Sequence, residues 1–298
     1  MSFEKLSEGH SPNSPEIFLD TSIHCSKLKG SLFTDRISRV LRMFYWKGTS
    51  SYTKVEFGNV VLAQAQYFLR QIGELHNLSA VIDFIGNVLP HDLHKAKVTW
   101  SFNLLLKHYG NNEEECTERA RLFLCRLMKL GLAFIDAYCD QPIANGTDCY
   151  WVKIGVQSKQ NGSLFWQSPK CTRALKRCRI DEFFIEHRKE FEQIKKAIDD
   201  LPEEQKSQQL SAFSEVIEAA LVDPAMLLDY QVGCRRLADA IIAIDSIGYR
   251  CMFSQNEKES TILTEVLNQF FYYLPPNPDK GILVRTPSVR VTTNDIGK

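Results

Sequence analysis

The spacing of apolar residues predicts alternating strands and helices at both ends of the chain. Residues 16–20 form a short apolar run that ends on an aspartate, which predicts a buried strand. Residues 31–46 and 52–72 carry apolar positions at helical spacing. Toward the other end, an apolar helix ends at Gly248, and residues 249–254 are a predicted strand. This alternation is typical of a parallel sheet, whose ligands lie at the carboxyl ends of the strands.

The central segment has a different pattern. Residues 113–138 and 171–199 are predicted helices. Residues 149–167 contain two aromatic and β-branched runs around an Asn-Gly turn, which predicts a β-hairpin. A last helix is predicted over residues 260–274, before two prolines.

We therefore expect an α/β fold with a parallel sheet, interrupted by a mostly helical insert that carries the hairpin. The expected segments are a flexible N-terminal arm (1–15), the first part of the α/β domain (16–75), the insert (76–224), the second part of the α/β domain (225–275) and a polar C-terminal tail (276–298).

Composition narrows the classes of protein to consider. The 298 residues include 36 basic and 36 acidic side chains, so the formal net charge is zero and a polyanion would need a local basic patch. The nine cysteines are odd in number and form no C-x-x-C pair, which favours a reducing, cytoplasmic location. The first residues lack the apolar core of a signal peptide, and no apolar run reaches the roughly 18 residues of a membrane span.

Three carboxylates occupy positions that are typical of metal-binding residues. Asp20 ends the first strand, Glu56 lies in a helix with an otherwise apolar face, and Asp239 begins an apolar helix. A carboxylate beside a core is costly unless it is paired or binds a metal, and converging carboxylates favour a hard divalent cation. Each also has a simpler interpretation, because Asp20 could cap the next helix, Glu56 could be solvated, and Asp239 could be an acid favoured by the helix dipole.

The three acids fall, in order, within three sequence blocks: FLDTSIHC at 18–25, SYTKVEFGNVVL at 51–62 and CRRLADAIIAIDSIGYRCMFSQN at 234–256. These blocks resemble those of the PIN-domain nucleases and cover 43 residues. The resemblance implies a PIN-like three-layer α/β/α fold with a central parallel sheet. It also implies a metal-dependent nuclease that uses Mg²⁺ or Mn²⁺ to hydrolyse phosphodiester bonds. It further implies RNA as substrate ahead of DNA, and a toxin or defence nuclease as the setting.

The resemblance also assigns roles to individual residues. It implies that Asp20, Glu56 and Asp239 are the metal carboxylates and that Ser22 orients the first of them. Asn256 matches the catalytic position of the fourth acid, where an amide brings no charge. Glu257 and Glu259 follow in the sequence and are alternative sources of that acid. A further acid, Asp245, is six residues after Asp239, so helical geometry points it largely away.

Two groups of basic residues could contact the phosphates of a nucleic acid. Lys54, Arg235 and Arg236 are close in sequence to the acids. Arg173, Lys176 and Arg177 lie in a basic cluster of the insert, after the hairpin with its aromatic residues. The insert cluster has an alternative interpretation as a solvated helix whose charges are balanced by nearby acids.

A second class of function stays open from the sequence. The chain could keep a PIN-like fold without catalysis and bind a protein or a nucleic acid through its insert. An additional copy of the chain or an inhibitory protein is compatible with either function as a partner. A membrane partner is not expected.

Overall fold

The structure is a computed structural model. It describes residues 4–5, 16–29, 31–88, 113–140, 144, 146–149, 156–158, 164–166, 178–228, 233–277, 280 and 282–285.

A six-stranded sheet forms the centre of the fold. In chain order its strands are β1 (Glu4–Lys5), β2 (Glu16–Leu19), β3 (Trp46–Gly48), β6 (Cys251–Ser254), β7 (Phe270–Tyr273) and β8 (Leu283–Arg285), and β4 (Val156–Ser158) and β5 (Leu164–Trp166) make a separate hairpin. The spatial order is β1-β8-β7-β6-β2-β3, in which β7, β6, β2 and β3 are parallel and β8 and β1 are antiparallel to their neighbours. The carboxyl ends of the parallel strands therefore share one edge.

Helices connect these strands and cover both faces of the sheet. The described helices are α1 (Thr21–Ser26), α2 (Ser31–Leu41), α3 (Ser51–Phe57), α4 (Ala63–Leu75), α5 (Leu78–Val88), α6 (Glu113–Leu130), α7 (Ala133–Asp136), α8 (Ile180–Glu186), α9 (Arg188–Asp199), α10 (Gln208–Val222), α11 (Ala238–Asp245) and α12 (Glu257–Val266). One π-helical turn, Gly58–Leu62, joins α3 to α4.

The alternation of side chains along β2 separates two apolar layers. Ile17 and Leu19 face a core that includes Ile37 of α2, whereas Phe18 faces a core shared with α8, α9, α10 and α11. The sheet is thus covered by helices on both sides, and the fold is α/β as expected. Helices α8 to α10 belong to the predicted insert, yet they share the core of the second part of the domain.

The predicted hairpin is present and packs on the π-helical turn. β4 and β5 are antiparallel, with Val156 opposite Trp166. The indole N–H of Trp166 donates to Asn59 at 3.2 Å, and the backbone N–H of Trp166 donates to Gln66 at 2.7 Å. The Trp166 ring lies directly over Gly58, where a Cβ atom would collide with it.

Some predicted elements differ from the structure. The helix predicted over 260–274 is wrong in its second half, because α12 ends at Val266 and residues 270–273 form β7. Asn268 has a φ of 55°, which interrupts the helix, and the aromatic run after it pairs with β6 and β8. The helix predicted over 31–46 ends at Leu41, which leaves room for β3.

Two short strands lie in the segments predicted as a loose arm and a polar tail. Glu4 pairs with Val284 and Lys5 with Leu283, so β1 and β8 extend the sheet beyond its parallel part. Among the described residues, no helix has the length and apolar character needed to cross a membrane.

Candidate active site

Asp20 lies where two parallel strands end side by side. It follows β2, and its backbone N–H donates to the carbonyl of Phe253 in β6 at 3.1 Å. Ser254 is the last residue of β6 and is fully buried. The parallel pairing of β2 and β6 brings these two residues, far apart in sequence, to the carboxyl edge of the sheet.

Hydrogen bonds to both carboxylate oxygens hold Asp20 in place. Oδ1 accepts from the backbone N–H of Thr21 at 2.7 Å, which makes Asp20 the N-cap of α1. Oδ2 accepts from the hydroxyl of Ser22 at 2.6 Å and from the hydroxyl of Ser254 at 2.7 Å. Asp20 therefore has the capping role that its position allowed, and Ser22 makes the contact expected of an orienting residue.

The loop after β6 is tied to the same hydroxyls. The backbone N–H of Gln255 donates to Ser22 Oγ at 2.8 Å, and the backbone N–H of Asn256 donates to Ser254 Oγ at 2.9 Å. Asn256 is the N-cap residue of α12, but its side chain makes no capping hydrogen bond. The backbone of Asn256 is thus fixed near Asp20 through Ser254.

Glu56 reaches the site from the last part of α3. The hydroxyl of Thr21 donates to Glu56 Oε2 at 2.5 Å, which joins α3 to the first turn of α1. Burial is the largest cause that raises the pKa of Glu56, to about 8. The charge of Asp239 raises this pKa further, and the charge of Asp20 does so less strongly. The hydrogen bond from Thr21 acts in the opposite direction and lowers it.

Asp239 lies in the first turn of α11 and is half-buried. Burial again comes first and raises the pKa of Asp239 to about 7, with further contributions from the charges of Asp20 and then Glu259. The charges of Asp239 and Asp20 thus oppose ionisation of Glu56, and those of Asp20 and Glu259 oppose ionisation of Asp239. Together these four residues form the acid cluster. Glu259, which the sequence offered only as an alternative, joins this group.

A cleft adjoins the acid cluster on the side of the inserted helices. Its volume is about 20 Å³, and its polar lining residues are Arg236, Asp239 and Glu259. Its apolar lining comes from α9 and α10, including Phe213, and from α12. Helices of the insert thus form one side of this cleft.

The basic residues proposed near the acids have different surroundings. Lys54 is largely buried and pairs with Asp136 at 2.5 Å, so its charge is directed to α7. Arg235 and Arg236 are exposed, and only Arg236 lines the cleft. The predicted contacts of Arg173, Lys176 and Arg177 lie outside the described residues.

Asp245 lies outside the acid cluster, as its helical position predicts. Its carboxylate accepts from the hydroxyl of Ser50, and from the backbone N–H of Gly146 at 3.3 Å. Asp245 therefore links the segment at Gly146 to Ser50, which immediately precedes α3.

The donor set of the cluster suits a hard divalent cation, since it consists of carboxylates at the end of a parallel sheet. In the described residues, however, no three His, Cys, Asp or Glu side chains are arranged as a finished ligand group. The chemistry of the side chains fits Mg²⁺ or Mn²⁺, and binding would require some of the less constrained carboxylates to turn toward the ion. Asp20 is the fixed member of the set, because three donors hold its two oxygens.

Comparison of the chain with protein-family models, with curated proteins and with solved structures yields no match.

Proposed function

We propose that the chain is a metal-dependent nuclease with a PIN-like fold. The observation that carries this proposal is that Asp20, Glu56 and Asp239 lie on three separate elements, yet the charges of Asp239 and Asp20 raise the pKa of Glu56 and the charge of Asp20 raises that of Asp239, each in addition to burial. Natural folds rarely retain such mutual repulsion without a counter-charge. A divalent cation supplies that charge, and carboxylates are its preferred ligands.

In this proposal, different side chains would hold the metal ion and orient its ligands. Asp20, Glu56 and Asp239 would hold Mg²⁺ or Mn²⁺, and Ser22 with Ser254 would keep Asp20 in one orientation. When bound, such an ion supplies a Lewis acid that lowers the pKa of water and stabilises charge that develops at phosphorus. Asn256 would contribute an uncharged amide near Asp20.

Phosphate binding is assigned to the exposed arginines that precede α11. Arg235 and Arg236 form no side-chain ion pair within the described parts of the chain and are close in sequence to Asp239. Guanidinium groups bind phosphate oxygens well because they present several donors in one plane. Lys54 is not assigned to phosphate binding, because its ammonium group pairs with Asp136. RNA is the favoured polymer and a toxin or defence role the favoured setting, both on the PIN resemblance alone.

The direct test is cleavage of labelled single-stranded RNA and DNA in Mg²⁺, in Mn²⁺ and in EDTA. We expect metal-dependent cleavage that falls at least a hundredfold in Asp20→Asn and in Asp239→Asn. Asp140→Asn is the matched control, because Asp140 is an exposed aspartate paired with Lys47. Activity that survives both site variants, or that persists in EDTA, would contradict the proposal.

A non-catalytic binding protein is the second candidate. It is favoured by the uncharged Asn256 and by the lack of a finished ligand group among the described residues. In that case neither RNA nor DNA is cut, and calorimetry detects no binding of Mn²⁺. Binding of an intact strand under those conditions would assign the chain to this class.

A further inference from the structure

Two adjacent exposed aromatic residues lie at the edge of the sheet opposite the acid cluster. Tyr45 immediately precedes β3 and is 82% exposed, and Trp46 is the first residue of β3 and is 45% exposed. Trp46 pairs in register with Glu16, the first residue of β2, whereas Asp20 follows the last residue of that strand. The two aromatic residues therefore lie at the amino edge of the parallel strands.

The packing of the fold does not use these two rings. Neither Tyr45 nor Trp46 belongs to any of the three apolar cores of the described residues, although the adjacent Phe44 is buried in one of them. Neither side chain makes a hydrogen bond or a ring contact with the rest of the described chain. The other large apolar side chains that are exposed in the described parts of the chain are aliphatic. Adjacent exposed tyrosine and tryptophan rings are typical of an interaction surface.

Two arginines without an ion pair lie beside the aromatic residues. Arg39 is exposed in the last turn of α2, and the exposed Arg42 is three residues before Tyr45. Among the described residues, no acid pairs with either guanidinium, and Arg42 uses only its Nε, which donates to the carbonyl of Ser38 at 3.2 Å. Their remaining N–H groups are available to phosphate oxygens, which guanidinium groups bind well.

The charge around the aromatic residues is net positive. Arg250 is exposed just before β6 at the same edge of the sheet, and its guanidinium lies over an aromatic ring of β7. The acids of this edge are the half-buried Glu16 and the exposed Asp35. Lys47 adds no free charge, because its ammonium group pairs with Asp140 at 2.7 Å. The three arginines outnumber the two acids, which favours a polyanion over a basic or neutral partner.

We propose that Arg39, Arg42, Tyr45 and Trp46, here called the aromatic edge, form a binding surface for single-stranded nucleic acid. The two rings stack on unpaired bases, and the two guanidinium groups neutralise the neighbouring phosphates. Aromatic rings that stack on any base, next to cations that follow the backbone, are the means by which proteins bind single strands without reading their sequence. Binding here needs neither the acid cluster nor a metal ion, so the inference goes beyond the proposed nuclease function and does not depend on it.

Binding of labelled oligouridine in EDTA tests the stacking directly, because cleavage by a metal-dependent site is then absent. We expect Tyr45→Ala and Trp46→Ala each to weaken binding at least fivefold, and a duplex of the same length to bind less tightly than the single strand. Ile185→Ala is the matched control, since it also truncates an exposed apolar side chain but lies on α8, and it should change binding less than twofold. Equal effects of the three variants would overturn the proposal.

The salt dependence of binding tests the arginines. A single strand gives a slope of about −0.7 in log affinity against log salt for each phosphate contact, so Arg39→Gln with Arg42→Gln should make the slope shallower by about 1.4. Arg70→Gln with Arg188→Gln removes the same charge from exposed arginines that pair with glutamates of their own helices at 2.8 and 3.0 Å. This control should leave the slope unchanged. The same change of slope in both double variants would contradict a local contact.

A second copy of the chain is the competing occupant of the aromatic edge. If sedimentation shows a dimer that Tyr45→Ala and Trp46→Ala dissociate, while both variants bind oligouridine as the parent protein does, the proposal is wrong. Cleavage by Asp20→Asn tests the nuclease function, whereas oligouridine binding by Trp46→Ala tests the aromatic edge. Either can therefore fail without the other.

Discussion

The hydroxyl of Ser254 donates a 2.7 Å hydrogen bond to Oδ2 of Asp20, a residue 234 positions away in the sequence. Ser22 donates to the same oxygen at 2.6 Å from two positions away. One local and one distant hydroxyl therefore fix the orientation of this carboxylate. The first acid of the site depends on the end of the neighbouring strand as well as on its own helix.

Removal of either hydroxyl should loosen Asp20 without removing its charge. We expect Ser22→Ala and Ser254→Ala each to lower kcat about tenfold, with a larger loss in the double variant, because hydrogen bonds to charged groups contribute roughly 1.5–3 kcal/mol. Cleavage kinetics in Mn²⁺ would measure the effect. Ser214→Ala is the control, since Ser214 donates to Asp199 at 2.6 Å away from the acid cluster. A double variant with unchanged kcat would contradict the orienting role.

The acid cluster should make the metal-free protein less stable as pH rises. The pKa values of Glu56 and Asp239 rise in the folded state from ordinary values of 4.5 and 3.8, so the folded protein retains protons that the unfolded chain releases. Their contribution to the free energy of unfolding should therefore fall from about pH 4 to about pH 8.

Urea unfolding in EDTA across that range would measure the slope, and Glu56→Gln should flatten it. Mn²⁺ at neutral pH should restore stability to the parent protein, because it replaces the protons as the counter-charge. Identical pH profiles for the parent and Glu56→Gln would count against the mutual repulsion.

The contribution of His24 to the free energy of unfolding should depend on pH in the opposite direction. It is fully buried, neither ring nitrogen has a hydrogen-bond partner among the described residues, and burial, with the nearby charge of Lys27, lowers its pKa well below 6.5. As pH falls, the unfolded chain therefore binds a proton at His24 that the folded protein does not bind. The contribution of neutral His24 to the free energy of unfolding is present above pH 6.5 and is lost as pH falls below it.

His24→Leu should consequently lose less stability than the parent protein between pH 6.5 and pH 4.5. The exposed His76→Asn is a suitable control, because asparagine tolerates the left-handed φ of 54° at that position. If His24→Leu and the parent lose stability in parallel, His24 is already charged in the folded protein.

Two helical glycines should respond oppositely to substitution by alanine. The Trp166 ring occupies the space that a Cβ of Gly58 would need, whereas nothing lies within 4 Å of a Cβ at Gly73. Gly58→Ala should destabilise by roughly 1–3 kcal/mol through overpacking, and Gly73→Ala should stabilise by roughly 0.5–1 kcal/mol through helix propensity. Chemical denaturation would measure both. A stabilising Gly58→Ala would show that the hairpin does not pack on this turn.

The sequence is sufficient to find acids whose local setting is unusual. Asp20 follows an apolar strand and Asp239 begins an apolar helix, so the sequence alone singles out both. The alternation of strands and helices likewise predicts the parallel part of the sheet.

Other features depend on contacts that a linear pattern does not contain. Glu259 has the spacing of an ordinary capping box, and only the Ser254 contact shows that its carboxylate is free of that role. Lys54 is adjacent to the acid block in sequence but pairs with Asp136 in the fold. β7 follows a helix with no glycine or proline between them, and the left-handed Asn268 provides the break.

The neighbouring positions of β2 and β6 have a consequence for synthesis of the chain. Asp20 leaves the ribosome long before Ser254, and at roughly 5–20 residues per second the 234 positions between them take at least about 12 s. During this interval β2 has no complete β6 beside it, and Asp20 lacks its second hydroxyl donor. Translation therefore delays assembly of the acid cluster until most of the polypeptide has emerged, so a nascent chain cannot carry the complete site.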